Sequence, residues 1–154
     1  MKMFARSLIA AMTLSVAACG TLQLDSSNVS DQYDVAEIVV RELYVAPLQK
    51  RTAAICFPKL SDPSARFLDR LAPLTVLPCS ALEDRRPGKN QVIEQSGQSA
   101  VTIYIDTFER VTPDRINVTA TRWRGSLSGG GYSFKFQRVN GSWQLMSHEK
   151  TWNG

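Results

Sequence analysis

The chain has 154 residues, 44% hydrophobic and 21% charged, with three cysteines, one histidine and a formal net charge of +4. That length suits one domain, and the composition excludes disorder or collagen-like structure for the bulk of it. No apolar run reaches the roughly 18 residues that a membrane-spanning helix needs, and one histidine rules out a metal site built on several. Residues 1–18 read as a secretory signal, to be set aside from fold reasoning: Lys2 and Arg6 form a basic start, Leu8 to Val16 an apolar stretch too short to span, and small residues Ala17 and Ala18 follow.

Cys19 comes next, then Gly20. The stretch Val16-Ala17-Ala18-Cys19 resembles the lipobox of bacterial lipoproteins; only Val16 departs from the commoner leucine. The resemblance implies that the Cys19 thiol takes a diacylglycerol, that cleavage falls before it, and that the new amino end is acylated. Gly20 stands where enterobacterial lipoproteins retained at the inner membrane carry aspartate, which implies an outer-membrane anchor facing the periplasm. The alternative is a plain signal peptide cut at A-x-A, a pattern Val16 breaks, with a free thiol left behind. Two or more acyl chains hold a protein on a bilayer where one does not, at about 0.8 kcal/mol for each buried methylene. Loss of the signal removes Lys2 and Arg6 and leaves sixteen basic against fourteen acidic residues, a net of +2. The remaining bases are scattered, with no basic stripe interleaved with aromatics, so a nucleic-acid partner is not expected.

Residues 19–30 are small and polar and read as a lipidated tether to a single domain over 31–154. A helix is expected from Asp31 to Ala46, capped by Ser30 or Asp31, with Val35, Ile38, Val39 and Leu43 on one face and Pro47 as its stop. Ala53 to Phe57 is short and apolar and reads as a strand. Asp62-Pro63 reads as the start of a second helix with a cap and a first-turn proline, Phe67, Leu68 and Leu71 as its apolar side, and Pro73 as its end. Leu74 to Leu77 is extended. Residues 80–98 are polar and turn-rich, a loop with a brief helical turn near Ala81-Leu82.

From Ala100 the pattern alternates in twos through Val101–Ile105, Ile116–Ala120, Tyr132–Phe136 and Trp143–Leu145. Thr112-Pro113-Asp114, Gly125 to Gly131 and Asn140-Gly141 separate these runs, which gives an antiparallel four-stranded meander. Trp123, Met146 and Trp152 fall out of phase with their neighbours, and such slips point to bulges and a curved sheet. The expected class is α+β, with N-terminal helices packed on the concave face of that meander. This order and final hairpin resemble the roll of the NTF2-like and cystatin-like superfamilies. The run from Trp123 through Gly131-Tyr132 and Gly141-x-Trp143 to Trp152 also resembles a group of small bacterial envelope proteins, which share an earlier cysteine, an Asp-Pro helix start and a second cysteine.

With Cys19 taken by lipid, Cys56 and Cys79 are an even remainder, and in an exported protein that points to a disulfide over a separation of 23 residues; two buried thiols are the alternative. A catalytic cysteine would need His148 as its base, and no spacing supports that. His148 also lacks an orienting carboxylate, because Glu149 points to the other face of a strand. Asp106 and Glu109 form a carboxylate pair only if the strand bends. Gly125 to Gly129 fails as a nucleophile elbow, since Leu127 stands where a serine must. Gly129 to Gly131 reads as a strand connection before an anion nest. No catalytic set, metal site or cofactor motif emerges. Arg122, Trp123 and Arg124 form the candidate binding patch, because arginine and tryptophan dominate interaction hot spots.

These observations favour a non-enzymatic, membrane-tethered envelope protein that binds an envelope protein or supports the envelope. A small-ligand cone with Tyr132, Phe134 and Phe136 as its lining is the second expectation. An inhibitor of an envelope-directed hydrolase, acting through residues 83–98 or 125–131, is the third.

Overall fold

The computed structural model describes residues 26–44, 51–89, 91–125 and 128–154. Cys19, the signal and residues 19–25 of the expected tether lie outside the described residues. The class is α+β: two α-helices and one six-stranded sheet of order β2-β1-β3-β4-β5-β6. The strands are β1 (Ala53–Cys56), β2 (Val76–Pro78), β3 (Val101–Thr112), β4 (Arg115–Trp123), β5 (Gly129–Val139) and β6 (Ser142–Asn153). β3 to β6 form the expected antiparallel meander. The sheet has six strands instead of four because β1 lies parallel to both β2 and β3. All four residues of β1 are buried, so no alternation marks it in the sequence.

Helix α1 spans Ser26–Leu43 and turns Val35, Ala36, Val39, Val40 and Leu43 onto the sheet. It begins five residues before the expected start, so residues 26–30 are helix and not tether. It is described as ending at Leu43, with the Tyr44 N–H donating to the Val40 carbonyl (2.8 Å); the expected end at Ala46 lies outside the described residues. Asp31 is therefore an interior helical residue and not a cap. It sits one turn before Val35, on the buried stripe, and is only 8% exposed. A carboxylate is tolerated there because three donors converge on it. Arg110 Nη2 donates to Oδ2 at 2.6 Å, and Trp143 Nε1 donates to Oδ1 at 3.0 Å, where Arg138 Nη2 also donates. Arg138 also lies over the Trp143 ring, 4.6 Å from its centre, and Arg110 at 5.8 Å. One buried acid thus ties the start of α1 to β3, β5 and β6.

Helix α2 (Ala65–Arg70) lies between β1 and β2 in sequence and joins α1 on the same face, with Phe67 and Leu71 in the shared core. Its cap is Ser64, whose Oγ accepts from the Phe67 N–H at 3.2 Å. The expected cap, Asp62, instead accepts from the Ser80 N–H at 2.7 Å. Arg70 donates to Asp34 and Glu37 of α1 at 2.8 and 2.9 Å.

The reverse face carries a second core of Ala54, Cys56, Cys79, Leu82, Ile93, Ala100 and Tyr104, with Trp123 packed against it. The expected loop 80–98 is its cover. It starts in a 3-10 turn at Cys79–Ala81 and is folded by single bridges between Leu82 and Ile93 and between Val92 and Ser99. Gln91, 2% exposed, fastens it: its amide donates to the carbonyls of Arg86 and Lys89, and the Thr102 hydroxyl donates to its oxygen.

Bulges interrupt the ladders at Ile105/Thr107 and Arg110/Thr112 on β3, and twice on β6, where Met146 is the first extra residue. The out-of-phase Met146 is therefore a bulge, as its position suggests. Trp123 is not: β4 pairs with β5 without a slip, and Trp123 faces outward because the second core lies there. Asn140 and Gly141, with φ of 51° and 82°, close the last hairpin as expected for Asn-Gly.

The Trp143 hydrogen bond and the two arginines outweigh the burial of Asp31 and hold its carboxyl below the usual range. Its contribution is complete above the unfolded-chain pKa of about 3.9 and drains as pH falls through the lower folded value. Asp31→Asn is expected to cost about 3 kcal/mol at pH 7 by leaving two arginines unneutralised. Urea unfolding across pH 2 to 7 checks this: the gap to wild type should narrow only below about pH 4.

Candidate functional site

β1 and β2 run side by side, so Cys56 at the end of one and Cys79 just past the other meet in a disulfide with Cα atoms 4.7 Å apart. Both cysteines are fully buried on the reverse face. The bridge anchors the cover over the sheet at the point where Asp62 binds Ser80.

The expected patch of Arg122, Trp123 and Arg124 is divided by the sheet, because successive side chains of a strand point to opposite faces. Arg122 points under α1: Nη1 donates to the Leu43 carbonyl and Nη2 to the Tyr132 hydroxyl, both at 2.9 Å. It serves the carbonyl end of the helix, where positive charge is favoured. Arg124 is exposed beyond the end of β4, its N–H bound to the Ser128 carbonyl at 2.8 Å. Trp123 lies on the reverse face, where its ring centre is 5.5 Å from that of Trp152.

These two tryptophans give the glycine run its purpose. Trp123 is directly opposite Gly129, and Trp152 opposite Gly131. A Cβ on Gly129 would lie 2.6 Å from the Trp123 ring, and one on Gly131 2.0 Å from Trp152 Nε1. The glycines are strand residues whose missing side chains leave the space that the indoles occupy. They are not the connection that the sequence suggested. The slip expected at Trp152 is present, with Thr151 as the extra residue, but the sequence does not place Trp152 beside Trp123; the signal for that is the match of a three-glycine run with two tryptophans across the hairpins. Trp123 Nε1 is buried without a hydrogen-bond partner.

Beside the indoles, Gly88 passes 3.5 Å from the Trp123 ring by its ideal Cβ position. Pro87, next to it, helps wall a dent of about 140 Å³ whose other walls include Pro58, Leu60, Tyr104 and Asp106. Asp106 follows Thr102 and Tyr104 on the reverse face, where Thr121 Oγ1 donates to it at 2.8 Å, and the bulge at Ile105/Thr107 brings Thr107 and Glu109 to the same face. The residue is exposed at the rim, yet the surrounding walls push its carboxyl above the usual range. Burial likewise raises the Tyr104 phenol, which donates to the Arg85 carbonyl at 2.8 Å. Lys59 and Leu60 at the edge of the dent both hold left-handed backbone, φ 62° and 57°, which costs about 1–2 kcal/mol per residue. No salt bridge neutralises Asp106 among the described residues. The dent can therefore accept a cation or a hydrogen-bond donor between apolar walls.

Asp106 and Glu109 share this face after the bulge but not a partner: Asn117 donates to Glu109 at 3.5 Å, while Thr107 and Thr119 bond each other between them at 2.7 Å. His148 lies on the helix side of β6 with its ring 5.7 Å from that of Phe134. Among the described residues no three of His, Cys, Asp and Glu gather as metal ligands. Of the Gly125–Gly129 segment, Ser126 and Leu127 lie outside the described residues. No family model, curated protein or solved structure matches the chain.

Gly131→Ala is expected to lift Trp152 from the sheet at a cost of about 1–3 kcal/mol. Near-UV circular dichroism, which reads the Trp123–Trp152 pair, should lose amplitude while the far-UV signal persists.

Proposed function

We propose that this is an exported protein of the bacterial envelope, lipid-anchored at the outer membrane, whose single domain binds a protein partner and does no chemistry. The observation that carries the reading is the pairing of Cys56 with Cys79. Disulfides persist in oxidising compartments, and this one leaves Cys19, directly after Val16-Ala17-Ala18, as the remaining thiol for acylation. Absence of a spanning helix among the described residues is consistent with an anchor of lipid. The binding surface in this reading is the Trp123–Trp152 platform with the Asp106 dent beside it. It joins aromatic area to a carboxylate that no salt bridge neutralises among the described residues, the kind of anchor that hot spots favour.

In this reading the kinship with NTF2-like or cystatin-like rolls is confined to α1 and β3–β6; β1, α2 and β2 are an added parallel unit. A ligand-holding cone would need space between α1 and the meander. That space holds Val35, Val39, Ile116, Val118, Phe134 and Phe136, all buried in one cluster. Residues 83–98, offered as an inhibitory loop, contribute Ile93 to the second core, which limits their freedom to enter an enzyme cleft.

Mass spectrometry of the protein purified from cell membranes tests the anchor: the mature chain should begin at Cys19 and carry a diacylglycerol and an amide-linked acyl chain. An unmodified Cys19 or a retained signal contradicts it. Cross-linking in cells from position 152 should capture an envelope protein and lose it in Asp106→Lys, whereas cross-linking from Lys59 and 152 to lipid alone would refute a protein partner.

A further inference from the structure

The start of α1 and the tips of two hairpins lie at the same end of the sheet. Asp31 binds Arg110 and Arg138, which lie within three residues of the turns at Pro113-Asp114 and Asn140-Gly141, and Arg110 also reaches Asn28 at 3.4 Å. The reverse face at this end has a groove of about 300 Å³ lined by Val111, Arg115, Lys135, Phe136 and Met146, among others. Val111 and Met146 are 52% and 58% exposed, and each stands at a bulge, in the slips at Arg110/Thr112 and after Leu145. Two of the four ladder irregularities thus coincide with the two most exposed large apolar side chains among the described residues. Arg115 and Lys135 flank them, exposed and in no salt bridge among the described residues. The acids nearby are Asp114 in the turn and Glu109, one row further from the tip and bound to Asn117.

We propose that this corner rests on anionic phospholipid, with Val111 and Met146 in the headgroup layer and Arg115 and Lys135 against phosphates. The proposal deepens the lipoprotein reading and rests on it for its geometry. From Cys19 to Ser26 the chain can reach at most about 25 Å, and Ser26 begins α1 at this end. An acylated Cys19 therefore keeps the hairpin tips close to the bilayer. The charge fits an anionic surface, and apolar side chains flanked by bases are the usual composition of an interfacial contact. The indole platform lies at the opposite end of β4, roughly 26 Å away over the eight steps from Arg115 to Trp123 at about 3.3 Å each, so docking would leave it facing the aqueous compartment.

The test uses the chain from Gly20 onward, without the acylated residue; every contact described above lies at Ser26 or beyond. It is sedimented with vesicles of phosphatidylcholine alone and of phosphatidylcholine with phosphatidylglycerol. Binding is expected only to the second, weakening as salt rises. Arg115→Gln with Lys135→Gln should lower the partition roughly twenty- to thirtyfold, since each cation near an anionic surface contributes about fivefold. Val111→Ser with Met146→Ser, surface changes that spare both cores, should lower it as well. No binding, equal binding to both vesicles, or binding that neither double variant weakens overturns the proposal. The mass of the cellular N-terminus separates the two readings. Acylated Cys19 with no vesicle binding leaves the anchor and removes the corner. Unmodified Cys19 with the expected binding removes the anchor and leaves a lipid-binding corner.

Discussion

A single buried carboxylate sets the position of α1. Apolar burial alone would let the helix slide or rotate on the sheet, because Val35, Val39, Val40 and Leu43 offer a smooth stripe. Asp31 removes that freedom. It needs donors, and the three it finds come from β3, β5 and β6, from residues 79 to 112 positions further along the chain. At the other end Arg122 fixes the last carbonyl of the helix through Leu43. Two directional contacts with the meander, one at each end, define where the helix lies on it; the stripe between them supplies the hydrophobic stabilisation. The covering segment on the reverse face is held by different means, a disulfide and a buried amide.

This arrangement gives the molecule two faces with different duties. The helix face is a filled core. The reverse face is covered only over β1 and the first half of β3, and beyond the cover it exposes polar strand residues, two neighbouring indoles tilted to each other and an acidic dent. The proposed lipid contact and the proposed protein contact both lie there, at opposite ends of the meander. Such a division suits a tethered protein that must present one end of a sheet to a partner while the other end stays near its anchor.

Much of this was legible in the sequence, and the misses have physical causes. The meander could be read because each strand buries one face and alternates. β1 and β2 could be read as extended segments but not as parallel members of the same sheet, since two-sided burial leaves a plain apolar run. The disulfide followed from counting cysteines. Asp31 was mistaken for a cap because acids favour helix starts and its partners are remote; its place one turn before Val35 was the available clue. Trp123 was assigned to a bulge because only one core was expected. The second core is roofed by a polar segment that contributes only Leu82 and Ile93 to it and is held by the disulfide and Gln91 instead of a periodic pattern. The Arg122–Trp123–Arg124 patch failed as a unit for the same reason that strands alternate at all.

The central claim is that Asp31 pins α1 to the meander independently of the disulfide-bound cover. Native-state hydrogen exchange on Asp31→Ala tests it most directly, since local openings report on separate cooperative units. The account predicts that amides of α1 and of the strand ends around Arg110 and Trp143 lose protection together, while Leu82, Ile93 and Ala100 in the cover keep theirs. An even loss across both faces, or an unchanged α1, would contradict it.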